Sequence, residues 1–90
     1  MDVHASITVQ GLVQGVGYRW FANHHAVQLG LKGLVRNNYD GTVHVEVEGD
    51  RSLIEELIVQ LKIGPRSAHV NDVRVVWSEP KHLFLGFSIK

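Results

Sequence analysis

Val3, Ala5, Ile7 and Val9 alternate with His4, Ser6, Thr8 and Gln10, the period-two pattern of a strand with one buried face. The alternation ends at Gly11, and a helical pattern runs from about Arg19 to Leu29. Ala22, Ala26 and Leu29 share one face of it, flanked by Phe21 and His25. Gly30 is placed to close this helix. A second strand is predicted from Lys32 to Asn38. The turn Asn38-Tyr39-Asp40-Gly41 leads into a third, Thr42 to Glu48, with Asp-Gly as the hairpin signal. Val43, Val45 and Val47 alternate there with His44, Glu46 and Glu48, which reads as one buried and one solvated face. The next helix begins near Asp50, where Ser52 and Glu55 have capping-box spacing. Its apolar stripe is Ile54, Leu57, Ile58 and Leu61, and Gly64-Pro65 stops it. A fourth strand covers Val70 to Ser78 with Val73, Val75 and Trp77 on one face. Leu85, Phe87 and Ile89 suggest a short final strand.

Strand, helix, strand, strand, helix, strand is the split βαβ order. The predicted class is α+β: a ferredoxin-like sandwich of four antiparallel strands, two helices on one face, and a short extra C-terminal strand. First and third strands pair side by side in that arrangement. No linker or repeat divides the 90 residues, so a single domain over 1–90 is expected. Nine Lys and Arg balance nine Asp and Glu, which speaks against a broad basic surface for nucleic acid. The outward positions of the two central strands also lack the aromatics on which RNA-binding sheets stack bases. Cysteine is absent, which excludes thiolate chemistry and suits a reducing compartment. With no signal peptide or membrane-length apolar run, a cytoplasmic monomer without membrane or nucleic-acid partners is expected.

Between the first strand and first helix stands Gly11-Leu12-Val13-Gln14-Gly15-Val16-Gly17-Tyr18-Arg19. Glycines let a ligand approach the main chain, and a helix start points unpaired N–H groups and a positive dipole end outward. Arginine adds a charged fork suited to phosphate or carboxylate oxygens. A local anion cradle follows, with phosphate as the first candidate. Two familiar phosphate fingerprints are excluded: Gly-Lys followed by Ser or Thr is missing, and Trp20 stands where a dinucleotide loop needs glycine. Of six histidines, none stands two, three or four residues from another, so no helix or strand pair aims two imidazoles at a metal. No serine or threonine has an identifiable base partner.

Val13-Gln14-Gly15-Val16-Gly17-Tyr18-Arg19, together with Gly33-Leu34-Val35-Arg36-Asn37-Asn38-Tyr39-Asp40-Gly41-Thr42-Val43 and Gly49, closely resembles the two signatures of the acylphosphatase family. Ala26 with Leu29-Gly30-Leu31, Gly64-Pro65 before Ala68 and Val70, and Gly86-Phe87-Ser88-Ile89 extend the resemblance over essentially the whole chain. It implies hydrolysis of the carboxyl–phosphate bond of a small-molecule acyl phosphate, giving a carboxylate and inorganic phosphate, without metal or cofactor. Inorganic phosphate is then both product and competitive ligand. Backbone N–H groups of Gln14, Gly15, Val16, Gly17, Tyr18 and Arg19, with the Arg19 guanidinium, are implied to bind the phosphoryl oxygens. Asn37 is implied to hold the attacking water; taken alone it reads as an ordinary turn residue. Arg36, on the opposite pleat, is expected to point away from the site.

Two residues depart from the family pattern. Tyr18 stands where phenylalanine is usual, which adds a hydroxyl, and Leu34 stands where an aromatic residue is usual, near Asn37. The alternative function is a non-catalytic regulatory domain that binds phosphate or carbamoyl phosphate with the same loop. A chain that carries its own start and keeps both Arg19 and Asn37 is expected to be the free-standing enzyme.

Overall fold

The first alternating segment forms strand β1 (Asp2–Leu12) in a computed structural model that describes residues 1–90. Helix α1 (Tyr18–Gln28), strands β2 (Lys32–Asn37) and β3 (Val43–Asp50), helix α2 (Arg51–Ile63), strand β4 (His69–Ser78) and strand β5 (Phe87–Ile89) follow. Strand order in the sheet is β4-β1-β3-β2-β5. β1 lies antiparallel between β3 and β4, and β2 pairs antiparallel with β3. The register sets Ala5 against Val47, Ile7 against Val45 and Val9 against Val43, with Val35 on the far side of Val45. These side chains are fully buried with Ala22 and Ala26 of α1 and Ile54, Leu57 and Leu61 of α2. Both helices therefore cover one face of the sheet, as the split βαβ order predicts.

The ends of the elements follow local chemistry. Leu31 N donates to Ala26 O and Gly30 N to Val27 O, the paired bonds that close a helix at a left-handed glycine. At α2 the capping box is not formed. Asp50 is the cap, its carboxylate accepting from Ser52 N at 2.9 Å, and Ser52 is already the second helical residue. β5 runs parallel to β2, pinned by Gly33 N to Gly86 O and Lys90 N to Val35 O. Leu85 stays outside it, fully exposed.

The other face of the sheet differs from its predicted solvated state. His4 is 1 % exposed and Glu48 is 6 % exposed. His4 Nδ1 lies 2.7 Å from Glu48 Oε2 and Nε2 lies 2.6 Å from Glu46 Oε1, while His44 Nε2 lies 2.7 Å from Glu46 Oε2. Glu48 also accepts from the backbone N–H groups of Lys81 and His82, and Phe84 stacks on the His4 ring. The connection from β4 to β5 thus crosses this face as a strap. Periodicity within β3 cannot reveal a cover that arrives from the far end of the chain. Burial pushes both carboxyls up, but the donors around them outweigh it and hold both below the usual carboxylate range.

Candidate active site

Gly15 and Gly17, at φ 73° and 79°, turn the chain from β1 into α1. This left-handed backbone strains any residue with a Cβ, although open space surrounds both positions. Gly17 is the N-cap and has no side chain to offer, and the first turn holds no acid. The first helical bond is Phe21 N to Gly17 O. The N–H groups of Tyr18, Arg19 and Trp20 precede it and are those that a helix leaves unpaired.

The loop is tied down at both ends. Gln14 Nε2 donates to the carbonyls of Asn38 and Thr42, at 2.8 and 2.9 Å. Tyr18 is 1 % exposed, and its hydroxyl donates to the Leu61 carbonyl at 2.7 Å. Burial pushes this phenol upward, so it stays neutral. Only the main chain of Tyr18 is left to face a ligand. Val16 packs against the core.

Asn37 is the last residue of β2, opposite Val43. The hairpin beyond it is held by its neighbours. Asn38 N donates to Thr42 O and Asn38 Nδ2 to Thr42 Oγ1, both at 2.9 Å. Thr42 N and Oγ1 donate to Asp40, which keeps that carboxyl below its usual range. Asn38 therefore carries the turn, and Asn37 is left to line a cleft.

That cleft, about 210 Å³ in volume, brings Gly15, Gly17, Arg19 and Asn37 together. Val13, Tyr18, Trp20 and Ile89 complete its lining. Gln14 and Val16 do not line it, since the Gln14 side chain turns to the hairpin and Val16 to the core. Arg36 is exposed and outside it, and Leu34, on the pleat opposite Asn37, lines a separate open hollow beneath Leu83 and Leu85. Sequence reasoning missed Val13, Trp20 and Ile89. The only available signal for Trp20 was its place after Arg19; Ile89 had none, because its neighbour β2 follows from the parallel pairing alone. No carboxylate or imidazole lines the cleft, and no group of three His, Asp or Glu anywhere converges on a metal position. The arrangement suits an oxyanion held by main-chain donors and a guanidinium, with an amide alongside.

The acylphosphatase family model matches residues 5–89. The chain belongs to the acylphosphatase family. An acylphosphatase of Koribacter versatilis is 49 % identical over 82 residues, spanning 91 % of this chain and 74 % of that protein. The crystal structure of acylphosphatase from Bacillus subtilis superposes with a TM-score of 0.95 at 33 % identity, covering 98 % of each chain. The activity is accordingly that of an acylphosphatase, a hydrolase acting on an acid anhydride with a small acyl phosphate as substrate and phosphate as product. The same fold also occurs inside a longer protein. Full-length HypF, crystallised in a phosphate- and nucleotide-bound form, matches at 34 % identity and a TM-score of 0.92, and only 12 % of that chain is covered.

Proposed function

We propose that this acylphosphatase works without a metal or cofactor, using the loop to hold the phosphoryl group and Asn37 to direct water. Main-chain N–H groups of the loop residues that line the cleft, Gly15, Gly17, Tyr18 and Arg19, and the Arg19 guanidinium bind the phosphoryl oxygens and stabilise their charge through the transition state. Phosphoryl transfer asks chiefly for such positioning and charge stabilisation. Asn37, with two donors and one acceptor, orients the water in line with the bond to be broken. The water oxygen bonds to phosphorus as the phosphorus–carboxyl oxygen bond breaks, and that electron pair leaves on the carboxylate. The proton from water passes to a phosphoryl oxygen. No general acid is needed, because a carboxylic acid has a pKa of about 4 and departs ionised.

The observation supporting this reading is that Arg19, the unpaired start of α1 and Asn37 share one small cleft whose lining has no metal-ligating side chain. The test is hydrolysis of benzoyl phosphate with EDTA present, beside p-nitrophenyl phosphate. Arg19→Ala is expected to lose about 10³-fold or more in kcat/KM, and Asn37→Ala about 10²- to 10³-fold, with both variants folded. The alkyl or aryl phosphate ester is expected to be a poor substrate. Loss of wild-type activity on adding EDTA, or full activity in either variant, would overturn the assignment.

A further inference from the structure

The cleft lining leaves two exposed apolar side chains with no assigned task, Trp20 and Ile89, and Trp20 is the larger and more open. Val13 and Tyr18 are each only 1 % exposed and contribute little more than the floor. Arg19 and Asn37 are taken up by the phosphoryl group and the water in the reading above, on which this inference rests. Trp20 remains, 65 % exposed at the edge of the same cleft. A tryptophan left so open in a small domain stands out, because most of its apolar surface faces water. It is also held in place. The His24 ring, one helical turn on, stacks against the indole at 5.1 Å between centroids and 10° between planes. That stack occupies one face of the indole, while the residue as a whole stays mostly exposed.

The charges around it narrow what that exposed surface accepts. Arg19 is the one charged residue lining the cleft, so a second carboxylate on the acyl group would have no cation except the one holding phosphate. Ile89, 42 % exposed, adds another apolar wall. It is fixed by its register with Val35 on the strand that carries Asn37. Apart from the groups assigned to phosphate and water, the exposed side chains of the lining are indole and aliphatic.

We infer that the exposed surface of Trp20 is the platform on which the acyl group of the substrate lies. The enzyme is thereby selective for flat, apolar acyl phosphates over short or charged ones. Trp20 is a specificity residue in this account and takes no part in bond breaking.

Steady-state kinetics with benzoyl phosphate and acetyl phosphate test this, for wild type, Trp20→Ala and Trp20→Phe. An aromatic contact contributes about 0.5–1.5 kcal/mol. Trp20→Ala should therefore lower the benzoyl-to-acetyl ratio of kcat/KM by about 2- to 12-fold, mostly through KM for benzoyl phosphate. Trp20→Phe should restore most of the ratio, and the inhibition constant of inorganic phosphate, which has no acyl part, should not move. An unaltered ratio, or an equal fall for both substrates with weaker phosphate inhibition, would overturn the acyl platform. Failure of the phosphoryl assignment is recognised separately, by an Arg19→Ala variant that turns over both substrates like wild type.

Discussion

Tyr18 differs by one hydroxyl from the phenylalanine usual in its family, and that hydroxyl reaches the Leu61 carbonyl in the last turn of α2. Carbonyls in a final turn have no intrahelical donor, so the phenol joins the start of one helix to the end of the other. Tyr18→Phe is expected to lower stability by about 1 kcal/mol, read as a lower urea midpoint at an unchanged m value. An unshifted midpoint would show that the bond contributes nothing net. That Arg19 and Asn37 come together in one cleft was legible at this scale because their motifs fix spacing and residue type together. The side-chain roles of Tyr18 and Gln14 were not, since each depends on a carbonyl supplied by a distant element. Trp20 was named in the sequence only as a residue that breaks a glycine pattern; its openness became visible once its neighbours were in place.

The strands and helices were read nearly to their ends, because β1, β3 and α2 are amphipathic with clear periods and their buried residues coincide with the predicted stripes. The errors lie where one element is completed by another. Ser52 has capping spacing, but Asp50 already fills that place. His4, Glu46 and Glu48 read as solvated until the strap after β4 folds across them. This cluster makes stability depend on acid. Both glutamates titrate below their ordinary 4.5 in the folded protein, so the unfolded chain takes up protons first as pH drops. Their contribution is complete above 4.5 and is lost as pH falls through the lowered folded values. Thermal melts from pH 7 to pH 3 should show wild type losing melting temperature below about pH 4.5. A Glu46→Gln/Glu48→Gln variant should start lower and show a shallower slope. Parallel slopes would remove the cluster from the acid response.

Across the whole molecule, the cradle couples ligand binding to folding, since the loop, α1 and the β2–β3 hairpin meet only in the folded chain. Inorganic phosphate at 100 times its dissociation constant should stabilise wild type by about 2.7 kcal/mol. A domain of this size gains about 4–8 °C in melting temperature per kcal/mol. Arg19→Ala should gain much less at the same phosphate concentration; an equal gain would locate the anion elsewhere. The topology was legible from element order, while the placement of β5 was not, because three residues carry too little pattern to choose a neighbour. The interior position of β1, between β3 and β4, has a further consequence, one of timing. Its partners are β3 and, from residue 69 onward, β4. At about 5–20 residues per second, a ribosome takes about 3–11 s to travel from residue 12 to residue 69. For that interval Ala5, Ile7 and Val9 are an incomplete sheet on a nascent chain. A strand flanked on both sides in the finished enzyme is thus one that a growing polypeptide must shield until its last long strand is made.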